Sequence, residues 1–319
     1  MPSLRQLKYA IKTIELGSIN EAAKQLFISQ PSLSNALKNL EEELNITIFA
    51  RSAKGVTLTN EGMEFMTYAR QIVAQVELME AKYQNKTPSR RLLSVSCQHY
   101  AFAVHAFAEL VKNYAENEYE FTLKETETHN ILHNVSTFNS ELGIIYLNDF
   151  NKQVLQKVFK EKQLEFTPLF TAQPHVFIGK NNPLANKRVI SLEELEPYPF
   201  LSFEQGQSDS FYYAEEILST RYNRKSIKVS DRATIFNLML GIDGYTISSG
   251  VLSRELNDEN IISVPLALAK NEQESMTIGW LKHKQVRLSA LAEEYLTYLK
   301  QHIVDYGFSL HNPETTLKH

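Results

Sequence analysis

The chain has 319 residues, 43% hydrophobic and 22% charged, a balance that suits about two globular domains with real cores. No run approaches the ~18 apolar residues that span a bilayer, and the opening Met1-Pro2-Ser3-Leu4-Arg5-Gln6 lacks the apolar stretch of a signal peptide. A cytoplasmic protein with no membrane partner is expected, and the single cysteine, Cys97, excludes an internal disulfide and a thiolate metal cluster.

The formal charge of −4 is unevenly spread. Residues 1–91 hold 12 Lys/Arg against 9 Asp/Glu, while the remainder holds 21 against 28. A mildly basic head on an acidic body suits a protein that meets phosphate with one end, although chance alone produces such asymmetry at this size.

Three amphipathic helices follow in quick succession. The first has a capping-box start, Ser3-Leu4-Arg5-Gln6, an apolar stripe of Leu4, Leu7, Ile11 and Ile14, and Gly17 to end it. The second opens with Ser18-Ile19-Asn20-Glu21 and turns Ile19, Ala22, Ala23 and Leu26 inward. Its two alanines let another helix approach closely. After Ile28-Ser29-Gln30, Pro31 starts a third helix that buries Leu33, Ala36, Leu37, Leu40 and Leu44. The opposite face carries Ser32, Ser34, Asn35, Lys38 and Asn39, short hydrogen-bonding groups and a cation at the end of a helix that normally meets base edges. Taken alone, this pattern fits a DNA reader and an ordinary three-helix bundle equally.

The run Gly17 to Ser34, with Glu21-Ala22-Ala23-Lys24-Gln25-Leu26 and Ser29-Gln30-Pro31-Ser32-Leu33-Ser34, resembles the LysR-type transcriptional regulator signature. So do Leu40-Glu41-Glu42-Glu43-Leu44, Ile48-Phe49-Ala50-Arg51 and Leu58-Thr59-Asn60-Glu61-Gly62, at the family's spacing. The resemblance implies a winged helix-turn-helix over residues 1–58, with the wing at about Ile48–Leu58. It places DNA contacts at Gln30, Pro31, Ser32, Ser34, Asn35, Lys38, Arg51 and Lys54. Two positions depart from the family pattern. Asn35 stands where arginine is common, which favours adenine over guanine. Asn45 stands where glycine is common, and asparagine still takes the left-handed conformation that closes a helix. Lys38 and Lys54 suit phosphate, and each is equally readable as a solvated side chain.

From Thr59 to Lys86 the pattern predicts one long helix, with Phe65, Ala69, Ile72, Val76, Met79 and Tyr83 as a coiled-coil-like seam. In the family this linker, residues 59–88, pairs two subunits, so a homodimer on an interrupted inverted repeat is implied, with a tetramer beyond it. Asn85 to Arg91 reads as a hinge.

From Leu92 the period changes. Strands are expected at Leu92–Cys97, Glu118–Glu125, Leu142–Leu147, Val176–Ile178, Phe200–Leu201, Ser226–Val229, Tyr245–Ser248, Ile261–Val264 and Met276–Leu281. Helices are expected at Phe102–Glu116, Ile131–Phe138, Phe211–Arg221, Ile235–Leu240 and Leu288–Ile303. Such alternation predicts parallel sheets covered on both faces. The resemblance adds the topology of an α/β body like a periplasmic binding protein, residues 89–307. Its first lobe spans 92–166 and 267–305, its second 167–266, and a tail follows at 308–319.

Open α/β sheets bind ligands beyond their strands' carboxyl ends. Those ends carry Ser96, Cys97, Gln98 and His99; Tyr146; Ser202, Phe203, Gln205 and Gly206; and Thr246. Hydroxyls and helix N-termini suit a small anionic or amino-acid-like effector between the lobes, with Gly206 letting it approach the backbone. Read singly, these are equally ordinary turn and cap residues. The stretch Phe203–Glu216, with Tyr212-Tyr213, is faintly similar to regulators of sulfur amino-acid uptake and synthesis.

Cys97 lacks the resolving cysteine that the family's peroxide sensors use, and reads as a small buried hydrophobe. His129 and His133 stand one helical turn apart without a supporting ligand, so no metal or cofactor is expected. No nucleophile elbow, phosphate loop or zinc-helix motif points to an enzyme. The partners expected are promoter DNA, the effector, further copies of the chain and, by resemblance, RNA polymerase.

Overall fold

A computed structural model describes residues 2–311 except 53–54, 85–90, 117, 207–209, 253–258 and 269–273. The chain divides into two units, Met1–Ser89 and Arg90–His319. Among the described residues no helix is long and apolar enough to cross a membrane.

In the first unit, α1 (Leu4–Leu16) starts from a complete capping box: the Ser3 hydroxyl accepts the Gln6 N–H at 3.2 Å, and the Gln6 side chain accepts the Ser3 N–H at 2.8 Å. Gly17 closes it in the left-handed region. Helix α2 (Ile19–Gln25) starts from Ser18, but the Glu21 carboxylate turns to Lys24 at 2.8 Å rather than back to the cap. Helix α3 (Gln30–Leu44) begins one residue before Pro31, capped by Ser29, and Asn45 closes it at φ 53° as expected. Leu33, Leu37 and Leu40 of α3 meet Ala10 of α1 and Ala22 of α2, all 0% exposed. Each such leucine removed from water is worth about 1.5–3 kcal/mol.

The hairpin of β1 (Phe49–Ser52) and β2 (Gly55–Leu58) pairs antiparallel, with Phe49 opposite Leu58. It is pinned twice. The Glu41 carboxylate accepts the Ile48 and Phe49 N–H groups at 2.7 and 2.9 Å, and the Val56 N–H donates to the Gly17 carbonyl at 2.9 Å. Helix α4 (Asn60–Gln84) then crosses the Ile48 carbonyl so closely that a Cβ on Gly62 would stand 2.1 Å from that oxygen. Only glycine fits there.

The second unit opens with β3 (Arg91–Cys97), α5 (Ala101–Lys112), β4 (Tyr119–Glu125), α6 (Thr128–Ser136), β5 (Leu142–Leu147), α7 (Lys152–Glu161) and β6 (Leu164–Ala172). The chain continues through β7 (His175–Gly179), β8 (Ile190–Ser191), α8 (Leu192–Leu195), β9 (Phe200–Phe203), β10 (Ser226–Val229), α9 (Arg232–Gly241), β11 (Thr246–Ser248) and β12 (Ile261–Ala267), and ends with β13 (Met276–His283) and α10 (Ala290–Asp305). One sheet has the order β4-β3-β5-β13-β6 and another β11-β7-β12-β8, with β9 and β10 as a separate parallel pair.

These sheets are mixed, not parallel as the alternation predicts. Strand β13 runs antiparallel to β5 and β6, and β7 antiparallel to β11 and β12. Strands β7 and β13 each arrive from the other sheet, so no strand-helix-strand crossover dictates their direction. Strand β6 also runs through the expected lobe boundary at residues 166 and 167 and stays with the first sheet. The expected helix over Phe211–Arg221 does not form: a 3-10 turn at Phe211–Tyr213 gives way to irregular backbone with Leu218 at φ 62°. The carboxylates of Glu215 and Glu216 accept backbone N–H groups of other segments, which shapes this stretch in place of helical periodicity.

Candidate functional site

Two arrangements carry chemistry, one in each unit. In the first, the solvent face of α3 presents Gln30, Pro31, Ser32, Asn35 and Lys38, all exposed, with Ser34 half-buried. The Ser32 and Ser29 hydroxyls bond at 2.7 Å across the first turn. Lys38 meets Glu42 at 3.3 Å in an exposed i,i+4 pair, which solvent weakens enough to leave the ammonium available to another anion. Arg51 falls in β1, but its side chain lies outside the described residues, as does all of Lys54.

On α4 the expected seam divides. Ala69 is 1% exposed and packs with Val73 on Leu7 of α1, with Phe65 half-buried against the same cluster. Ala69 is therefore enclosed by its own unit and not available to a partner. Ile72 and Met79 are 50% and 54% exposed, Val76 is half-buried, and Tyr68 joins the outward face at 60%. The side chain of Tyr83 lies outside the described residues.

In the second unit a cavity of about 40 Å³ lies where the turn after β3 faces β9, β11 and the start of α9. It holds about three waters, so a metabolite enters only if its walls part. Of the ten expected effector residues, His99, Phe203 and Thr246 line it. The His99 and Phe203 rings stack at 3.9 Å with 7° between planes. Glu215 holds His99 twice, accepting its backbone N–H at 2.9 Å and meeting Nδ1 at 2.9 Å. Burial alone would lower the His99 pKa; the hydrogen bond and charge of Glu215 reverse that and raise it. Glu216 accepts the Phe203 N–H at 2.8 Å, and burial, reinforced by the Glu215 charge, pushes its carboxyl up to about 8. Arg232, the first residue of α9, meets Glu125 at the end of β4 at 3.3 Å. Burial raises the Glu125 pKa against the pull of Arg232.

The other expected residues are turned to structural work. The Ser96 hydroxyl bonds Ser140 at 2.8 Å and accepts from Asn134 at 3.1 Å, sealed from solvent. Cys97 is fully buried in the core, where burial holds its thiol well above the usual range. Gln98 donates to Thr128 at 2.7 Å and accepts from the Tyr146 N–H and the Tyr100 hydroxyl. The Tyr146 hydroxyl donates to the Glu216 carbonyl at 3.2 Å. Gln205 donates to Glu215 and accepts the Thr128 N–H. Ser202 is half-buried within β9, opposite Lys228. Gly206 is approached by the Glu127 carboxylate, 2.7 Å from where a Cβ would sit, and not left open to a ligand. Sequence reasoning missed Glu125, Glu215, Glu216 and Arg232. The adjacent acids Glu215-Glu216 within an apolar stretch were the available signal.

Residues 4–63 match the model for bacterial regulatory helix-turn-helix proteins of the lysR family, and residues 88–304 match the LysR substrate binding domain. The chain is 24% identical over 305 residues to the HTH-type transcriptional regulator YbhD of Escherichia coli, covering 93% of this chain and 90% of that protein. It is 23% identical to the HTH-type transcriptional regulator CysL of Bacillus subtilis, covering 92% and 98%. A mutant of OxyR from Corynebacterium glutamicum shares the fold at a TM-score of 0.51 and 19% identity, covering 96% of this chain and 94% of that one.

Proposed function

The chain belongs to the LysR family of bacterial helix-turn-helix regulators, and from that premise we propose that it reads an interrupted inverted repeat in double-stranded promoter DNA as a homodimer and answers to a small effector in the second unit's cavity. It is a DNA-binding regulator with an effector-binding domain, not an enzyme.

The observation that carries the DNA reading is the exposed polar face of α3 opposite a fully buried leucine row. Gln30, Pro31, Ser32, Ser34 and Asn35 enter the major groove, with Lys38, Arg51 and Lys54 toward phosphate and the hairpin as wing. The outward face of α4 around Ile72, Val76 and Met79 pairs the subunits, and two dimers join as a tetramer that meets RNA polymerase. Residues 92–166 with 267–305, and 167–266, act as lobes, apart from the course of β6.

The effector is small and anionic or amino-acid-like, as the helix N-terminus and the cation of Arg232 favour. A tie to sulfur amino-acid metabolism rests on the Phe203–Glu216 stretch alone. The direct test is a gel shift with the promoter beside the protein's own gene and a base-substitution series. Wild type should discriminate that fragment from random duplex at moderate salt, and Asn35→Ala should lose about 1–3 kcal/mol of preference at one operator position. Equal binding to random duplex would remove the regulator reading.

A further inference from the structure

The reading of the cavity as the effector site leaves open how a ligand's acid group reaches its wall, because the donors there already hold a carboxylate of this chain. Glu215, itself in the lining, takes the His99 backbone N–H at 2.9 Å and the Gln205 amide at 3.2 Å. Its two oxygens meet His99 Nδ1 at 3.1 and 2.9 Å. The His99 and Glu215 side chains are 5% and 4% exposed. His99 stands two residues before α5, whose first turn has no side-chain cap of its own, so the carboxylate lies before the partly positive end of that helix. Residues 214–225 are neither helix nor strand, and no backbone ladder dictates that Glu215 turn to His99. Three donors from other segments fix it there.

We propose that Glu215 is a built-in ligand: its carboxylate fills the position that an effector's acid group takes, and the effector enters by displacing it. The displacement rests on the cavity being the effector site. A tethered group acts at an effective concentration of about millimolar or more, so a bare small acid does not win the position. The effector must add contacts to the apolar lining of Phe177, Ile235, Phe236 and Val251. Displacement frees the Glu215 segment from the turn after β3, which parts the walls of a cavity of about 40 Å³.

The experiment uses full-length Glu215→Ala with acetate, whose methyl and carboxylate replace the Cγ and Cδ groups removed. Chloride at equal ionic strength is the control. By calorimetry the variant should bind acetate saturably and at least tenfold tighter than wild type, the effect of one charged hydrogen bond. Acetate, and not chloride, should restore the variant's melting temperature and change its footprint on the promoter beside its own gene. Glu215→Gln fills the same volume and should ignore acetate. Should Glu215→Ala stay unfolded in chloride, folding recovered by acetate carries the same meaning, and folding recovered by neither salt overturns the proposal. A folded Glu215→Ala that takes up no acetate, or Glu215→Gln that binds it equally, also overturns it. Acetate uptake with unchanged footprints keeps Glu215 in the anion position and removes the effector reading on which displacement rests.

Discussion

Glu216 shows what one residue can store. Its side chain is enclosed, with the Phe203 N–H on one oxygen, and its carboxyl titrates at about 8 in the folded chain. Unfolding returns it to about 4.3. The folded state therefore holds more protons between those values, so stability falls as pH climbs through that window. His99 has the same sign: its raised folded pKa gives stability below its unfolded value, lost as pH rises through the folded one. In thermal melts from about pH 5 to about pH 8.5 the wild type should lose stability steadily. Glu216→Gln keeps an oxygen for Phe203 and should remove most of that slope, gaining on the order of 3–5 kcal/mol at the alkaline end. Parallel slopes in the two proteins would place the proton elsewhere. At this scale the sequence was legible where local rules act alone: Ser3, Gly17 and Asn45 cap as their chemistry dictates. Gly206 shows the limit, because the carboxylate filling the space beside it comes from Glu127, far away in the chain.

At the scale of elements, α4 carries two faces that a single apolar stripe does not separate. Residues four and seven apart share a stripe whether they meet a partner or the helix's own domain. Contact with α1 claims Ala69 and Val73, and leaves Ile72 and Met79 outward. Ile72→Glu with Met79→Glu should therefore leave unfolding of the first unit within about 0.5 kcal/mol of wild type. The same pair should convert dimers to monomers in sedimentation and weaken operator binding sharply. Ala69→Glu buries a charge in a closed contact and should unfold the unit instead. Dimers that survive the double substitution would move the interface off this face. The missed elements have comparable causes. Helix α7 buries only Leu155 and Phe159, one turn apart, and β6 is interrupted by Pro168, beside a register shift in β13.

For the whole molecule, the arrangement of sheets decides how a ligand can act. The cavity joins residues from β9, β11 and α9 to the turn after β3, so filling it alters how these segments stand against each other. A ligand shifts the protein only to the extent that it prefers one arrangement. DNase footprints with and without saturating effector should differ in length or in hypersensitive sites. Identical footprints at full occupancy would sever ligand from DNA.

Local chemistry carried in the sequence determined the helices of the reading head, their caps, the leucine row of α3 and its polar reverse, because each depends on residues within a few turns of one another. The tertiary structure alone decided strand direction, the two faces of α4 and the membership of the cavity. Strand direction follows from where the chain re-enters a sheet. The cavity brings together groups more than a hundred residues apart, as His99 with Glu215, and its Arg232 pairs with the equally distant Glu125, meetings that no local pattern encodes.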